Sequence, residues 1–326
     1  MRICVYGAGA IGGHLAVRLA RAGADVSVIA RGPHLHAIQA HGLTVHAVDG
    51  THQATIQATD NPATLGPQDA VFVTVKAPAL PQIAAGIGSL LRADTPVAFV
   101  MNGIPWWYCL GLGGKLDGQR LPRIDPADQL FQAVGPERAM GGVVYSASAV
   151  VAPGVIAVEQ PNSRVILGEI NNTLSPRLIA LTDLITQGGI SGEAVADIRT
   201  ELWNKLISNL AGGTLAVLSG VAPKTAYTQP AARLASLRAM QEAAAIAHAL
   251  GSTPTPDHDT RVARQASMDH KPSILQDQEL GRPMEIDAMF DAPLALARLA
   301  GVATPTLDLL VALCKLRAQS AGLYQG

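Results

Sequence analysis

Cysteine is scarce in this 326-residue chain: Cys4, Cys109 and Cys314 stand far apart, without the spacing of a metal site or a redox pair. That usage fits a reducing compartment, so the expected location is cytoplasmic. An excess of charge is missing as well. Lysine and arginine together number 24 against 25 acidic residues, a formal net charge of −1. Such a balance leaves no electrostatic footprint for nucleic acid or for an anionic membrane surface, and neither is an expected partner. No repeat of fixed period and no low-complexity segment stands out. A secretory leader is not expected, because "MRICVYGAGA" begins as a strand at once. The longest uncharged stretch, Ala139 to Val158, has membrane-spanning length but holds Gly141-Gly142 and Pro153-Gly154. It reads as two short strands and a turn in a soluble protein. The nine histidines include His34, His36, His41, His46 and His52 in a segment that reads as irregular, without acidic or cysteine partners, which disfavours a metal site.

What is present is enough apolar material, 48% of residues, for one large or two medium domains. "RICVYG" is a β-branched apolar run that ends in "GAGAIGG". A helical pattern follows from Ile11 to Ala22, Gly23 stops it, and "DVSVIAR" reads as a second strand. Gly7, Gly9 and Gly12 thus stand in G-x-G-x-x-G register inside a β–turn–α–β unit of about 30 residues. Gly7 allows the tight turn, Gly9 lets backbone approach a pyrophosphate, and Gly12 brings helix against strand. The helix N-terminus offers N–H groups to the phosphates. Gly7, Ala8, Gly9, Ala10, Ile11 and Gly12 are therefore the expected cofactor turn. The second strand ends in Arg31, with no carboxylate to accept a ribose 2′-hydroxyl. An arginine there suits a 2′-phosphate, so NADP(H) is the expected dinucleotide.

Two more buried-type strands, "DAVFVTVKA" and "PVAFVMNG", deliver Lys76 and Asn102 at their carboxyl ends, where ligands of open α/β sheets gather. The competing readings are an ordinary helix neighbour for Lys76 and an ordinary Asn-Gly turn at 102–103. "GVVYSASAVVAPGVIAVEQ" and "RVILGEI" read as short strands continuing the sheet. Between them and Asn102 lies "IPWWYCLGLGGKLDGQRLPRIDPADQLF" (104–131), long for a connection and carrying Trp106 and Trp107. A lid over substrate and an oligomer contact are both open for it.

Beyond Ala194 the spacing turns helical: 198–211, 230–250, 258–269, 284–300 and 306–321. Gly251 and Gly301 sit at expected stops. The fold class is therefore α/β, an N-terminal Rossmann-type doubly wound sheet over 1–197 followed by an all-α domain over 198–326. The alanine-rich helical part offers a surface for a homodimer. Within it, "ELWNKLISNLAGG" places Lys205 and Asn209 one turn apart beside an apolar face. A solvated stripe with Glu201 paired to Lys205 is the bland alternative to a catalytic acid and its substrate clamp. In "HKPSILQDQELGRPMEIDAMF", Ser273 and Gln276 have capping-box spacing. Pro283 would start the next helix and put Glu285 in its first turn, where a carboxylate suits the dipole.

Together these residues resemble the ketopantoate reductase (2-dehydropantoate 2-reductase) family over nearly the whole chain. The carriers are "GAGAIGG", "VKA" at 75–77, "NG" at 102–103, "PGVI" at 153–156, "NKLISN" at 204–209 and "SILQDQELGRPMEID" at 273–287. The resemblance implies NADPH-dependent reduction of a branched 2-oxo acid, 2-dehydropantoate to pantoate in pantothenate biosynthesis. It implies Lys205 as proton donor, Asn209 and Ser273 as substrate contacts and Glu285 as the active-site glutamate, which can orient the lysine or bond to the cofactor. It places Lys76 and Asn102 at the junction of cofactor and substrate. Two departures concern substrate choice: Gly213 stands where the family has a second asparagine, and the tryptophan-bearing connection is longer than usual. They keep open a D-2-hydroxyacid dehydrogenase acting on another 2-oxo acid. A non-catalytic NADP-sensing regulator is the alternative from another class.

Overall fold

The computed structural model describes residues 1–326, which group into two compact units. The first comprises Met1–Met101, Pro105–Gly111 and Asp125–Ile198; the second comprises Asn102–Ile104, Leu112–Ile124 and Arg199–Gly326.

In the first unit the chain runs β1 (Arg2–Tyr6), α1 (Ala10–Arg21), β2 (Asp25–Ile29), α2 (Gly32–His41), β3 (Leu43–Ala47), β4 (Gly50–Ala54), β5 (Gln57–Thr59) and β6 (Ala70–Val73). It continues through α3 (Leu80–Ile87), β7 (Val97–Val100), α4 (Gln129–Val134), β8 (Ala139–Tyr145), β9 (Ser148–Ala152), β10 (Val155–Val158), β11 (Arg164–Glu169), α5 (Pro176–Gln187) and β12 (Ser191–Ala194). Eight strands form one sheet in the order β12-β11-β8-β7-β6-β1-β2-β5, parallel throughout except between β8 and β11. Every residue of β6 and β7 is buried, as the unbroken apolar runs require of parallel strands covered on both faces. β1 has β2 on one side and β6 on the other, so the turn after β1 opens at the point where strand order reverses.

Three sequence expectations need correction here. Residues 148–152 and 155–158 do not continue the main sheet. They form a second sheet of order β4-β3-β10-β9, in which β10 runs parallel to β3. The physical reason is one-sided burial: four of the five residues of β9 are exposed, while Ile156 on β10 reaches the surface of α1 at Gly13. The histidine-rich stretch is likewise regular rather than irregular, because it supplies α2 and the antiparallel pair β3–β4. Finally, Trp106 and Trp107 are not at the surface of the 104–131 connection. Both indoles are buried in the first unit, Trp106 edge-on to Phe99 and Phe131.

The second unit is helical: α6 (Ile198–Ser219, its first residue belonging to the first unit), α7 (Pro223–Ala226), α8 (Pro230–Ala249), α9 (His258–Ser267), α10 (Ser273–Glu279), α11 (Ala292–Ala300) and α12 (Pro305–Ser320). A π-helical turn, Asp287–Asp291, leads into α11. α6 runs past the expected end at 211. Of its mid-helix glycines, Gly212 lies tight against Gln265, where a β-carbon would stand 2.7 Å from Nε2, while Gly213 faces Ile274 and Phe290 with room for one. No helix is long and apolar enough to cross a membrane.

Candidate active site

The glycine turn is built by close approach. Gly7 has φ +108°, a left-handed conformation that disfavours any side chain, and its N–H bonds to the Ile29 carbonyl at the end of β2. At Gly12 a β-carbon would stand 2.0 Å from the Gly7 carbonyl oxygen and 2.3 Å from Thr74 Oγ1. Gly9 differs: a β-carbon there would meet no protein atom within 4 Å. Gly9 also serves as the N-cap of α1 without a side-chain cap, which leaves the first helical N–H groups for another acceptor. Open space above a glycine, beside unclaimed amides at a helix start, fits an incoming phosphate group. Ala8, Ala10 and Ile11 complete this turn and the first turn of α1.

Arg31 and Lys76 stand in the same unit, just beyond the carboxyl ends of β2 and β6, and both are exposed. Arg31 is the N-cap residue of α2 and donates to Gln82 Oε1 at 3.1 Å. His34, which sequence reasoning passed over as one of a cluster, braces the turn. Its Nδ1 accepts from the Gly154 N–H at 3.0 Å, which places the ring hydrogen on Nε2, and Nε2 donates to the Ala8 carbonyl at 2.7 Å.

In the second unit three candidates from distant sequence positions converge. Lys205 Nζ donates to Asn102 Oδ1 at 2.8 Å, and Asn102 Nδ2 lies 3.4 Å from Glu285 Oε2. The Asn102 carboxamide thus bridges the lysine to the glutamate. Glu285 is 4% exposed. Lys205 keeps part of its stem accessible while its ammonium end lies among protein atoms, and this desolvation pushes its pKa down to about 8. The Glu285 carboxylate opposes the fall by favouring the charged amine. A solvated stripe is excluded for Lys205.

The backbone around Asn102 is pinned to the segment carrying Glu285. The helix there begins at Ile286 and not at 284, so Glu285 precedes it and gives its carbonyl to the Met289 N–H. In the π turn the Ala292 N–H goes to the Asp287 carbonyl. The next donor in that register would be Pro293, which has none, and the Ala288 carbonyl instead accepts from the Ile104 N–H at 2.8 Å. Gly103, at φ +84°, passes so near that a β-carbon would sit 2.5 Å from Ala288 backbone. Neither the π turn nor the service of Pro293 has a period that a sequence reading detects.

α9 grips the stripe of α6 adjacent to Lys205. Arg261 donates to the Asn204 carbonyl and side chain and pairs with Asp257, and Gln265 Nε2 donates to the Ser208 carbonyl at 2.8 Å. Asn209, one turn from Lys205, is half-buried and its carboxamide enters no hydrogen bond. Ser273 does not form the expected capping box. Pro272 occupies the N-cap of α10, Ser273 is exposed in the first turn, and Gln276 donates to the Lys271 carbonyl instead. At Gly213 a β-carbon would rest 3.5 Å from Ile274 and 3.7 Å from Phe290, an apolar surrounding.

Chemically, a desolvated ammonium held by an amide oxygen, with a carboxylate acting on its charge, has what a proton donor requires. The glycine turn of the other unit has open space and helix-start amides that suit a phosphate group. Comparison with known proteins matches both halves. Residues 3–172 correspond to the family described as "Ketopantoate reductase PanE/ApbA", and residues 197–318 to its C-terminal counterpart. A 2-dehydropantoate 2-reductase of Mesorhizobium japonicum is 40% identical, covering 99% of this chain and 100% of its own. The crystal structure of 2-dehydropantoate 2-reductase from Geobacter metallireducens GS-15 superposes with a TM-score of 0.85 at 28% identity, over 97% of this chain and 99% of that one. A D-mandelate dehydrogenase crystallised with NADH and anilino(oxo)acetate shares the fold, with a TM-score of 0.82 at 22% identity over 99% of this chain and 100% of that one.

Proposed function

The chain belongs to the ketopantoate reductase family, oxidoreductases acting on CH–OH groups, and from that premise we propose that it reduces 2-dehydropantoate to pantoate with NADPH. The observation that carries the reading is the Lys205–Asn102–Glu285 constellation with its lowered lysine pKa. A bound nicotinamide dinucleotide supplies the hydride that reduces the ketone carbon. As that carbon is reduced, negative charge gathers on the carbonyl oxygen, and Lys205 Nζ gives it a proton. The amine left behind is neutral and regains its proton from water. Asn102 Oδ1 holds the ammonium in one orientation, and Glu285 keeps it charged until substrate arrives. Asn209 and Ser273, whose side chains the fold does not occupy, bind the polar groups of the 2-oxo acid.

Gly7 to Gly12 receive the pyrophosphate at the start of α1, and Lys76 and Asn102 serve the nicotinamide end. Arg31 takes the 2′-phosphate, which favours NADP(H) over NAD(H). In this reading residues 1–197 bind the cofactor and 198–326 the substrate, in a cytoplasmic enzyme that assembles as a homodimer. The test is a panel of 2-oxo acids assayed with NADPH and with NADH. The highest kcat/KM is expected for 2-dehydropantoate with NADPH. A higher value for an aromatic 2-oxo acid would replace it with the D-2-hydroxyacid dehydrogenase reading. Binding of NADPH without its oxidation by any 2-oxo acid would leave a cofactor sensor.

A further inference from the structure

Glu285 is bracketed on both sides by two residues that follow α12. On one side the Met284 N–H bonds to the Leu323 carbonyl at 3.2 Å. On the other the Tyr324 hydroxyl donates to Asp287 Oδ1 at 2.8 Å and stands 3.1 Å from Asp291 Oδ2. Asp287 and Asp291 are the first and last residues of the π turn, and their like charges would push it apart. The tyrosine hydroxyl lies between them. Arg123 Nη1 donates to the same hydroxyl at 3.2 Å and to Asp287 at 3.3 Å, and Lys315 Nζ pairs with Asp291 at 2.6 Å. Two carboxylates and Arg123 thus meet at the hydroxyl of a tyrosine that is 9% exposed, and Lys315 joins them through Asp291. Burial and the two carboxylates raise the tyrosine pKa, so it stays a donor. The same π turn offers the Ala288 carbonyl that fixes the Asn102 loop.

We propose that Tyr324 is a positioning residue: by closing the two aspartates of the π turn it sets where Glu285 and Asn102 stand against Lys205. It acts through Glu285 and Asn102 and need not touch substrate. The proposal rests on the catalytic reading of Lys205, and its first readout is made without cofactor or substrate so that the two can fail separately.

The experiment is Tyr324→Phe in the full chain, which keeps the ring against Lys315 and removes only the hydroxyl. The Lys205 amine is titrated by NMR in the free protein, and kcat, KM and melting temperature are measured alongside. Loosening Glu285 weakens the charge that supports the ammonium, so the lysine should titrate below about 8. Turnover should fall by about 10- to 100-fold, the scale on which a remote misplacement of catalytic groups acts, with KM changed far less. Asp287→Asn, which keeps an acceptor for the hydroxyl, should give a smaller change in the same direction. Should the phenylalanine variant not fold, that variant carries the test. A lower melting temperature with the lysine titration and kcat at wild-type values would overturn the proposal and leave Tyr324 a purely structural clamp. An active wild type with both variants at wild-type values overturns it too, while an inactive wild type overturns the reduction reading and not this one.

Discussion

Lys205 and Asn102, 103 positions apart in the chain, are joined by a 2.8 Å hydrogen bond in which the ammonium donates to the side-chain oxygen. That bond leaves two ammonium protons for other acceptors, Glu285 among the groups that act on it. A substrate carbonyl oxygen is the acceptor proposed for the reacting proton. Lys205→Ala should lower kcat by ~10²–10⁴, the usual scale for losing a general acid, while NADPH affinity measured by fluorescence titration stays near wild type. Turnover within a few-fold of wild type would remove the lysine from the chemistry.

The lowered pKa makes the rate depend on pH in a stated direction. On the proposed role the acid form of Lys205 is the active one, so log(kcat/KM), which reports the free protein, should be flat below about pH 8 and fall above it. Glu285→Gln removes the charge that raises this pKa, so the falling limb should move toward lower pH. Stability moves oppositely. Between about pH 8 and the ordinary lysine value of 10.5, the unfolded chain binds a proton that the folded chain has shed, so the lysine's contribution to stability rises with pH there. Loss of turnover above pH 8 with no loss of folded protein, followed by circular dichroism, would separate the two effects.

Much of the arrangement was legible in the residues because the chemistry needs particular types at particular spacings. The glycine turn, the strand ends at Lys76 and Asn102, and the Lys205–Asn209 spacing are local patterns, and local geometry carries them. What was illegible depends on which faces become covered. β9 and β10 are apolar and rich in valine like the strands of the main sheet, yet Ile156 packs on α1 and β10 joins the small sheet. Trp106 and Trp107 sit in a glycine-rich stretch that reads as surface, and of the aromatic partners packed on Trp106, Phe99 precedes that stretch and Phe131 is its last residue. Ser273 had the spacing of a capping box, but Pro272 fixes its own φ and takes the cap position. The bridge from Asn102 to Glu285 spans 183 positions, a pairing no local period encodes.

Arg31 tests the cofactor assignment. Its guanidinium is exposed and engaged only lightly, with Gln82, so its loss should cost the fold little. A charge-assisted bond to a phosphate contributes about 1.5–3 kcal/mol, roughly a 10- to 150-fold change in affinity. Arg31→Ala should weaken NADPH by that factor and leave NADH nearly unchanged, measured as dissociation constants for both. Equal losses for the two dinucleotides would reject the 2′-phosphate contact.

Gly9 and Gly12 separate what the fold needs from what the cofactor needs. At Gly12 an added β-carbon collides with the Gly7 carbonyl oxygen at 2.0 Å and with Thr74 Oγ1 at 2.3 Å, so α1 must be pushed off β1. Gly12→Ala should therefore lower the melting temperature and abolish cofactor binding together. At Gly9 the same methyl meets no protein atom within 4 Å, and the backbone there, at φ −65°, accepts alanine. Gly9→Ala should melt as wild type does and still lose most of its NADPH affinity, because the methyl occupies the space that the pyrophosphate would enter. Undiminished NADPH affinity in the folded Gly9→Ala protein would show that the phosphates lie elsewhere than over this turn.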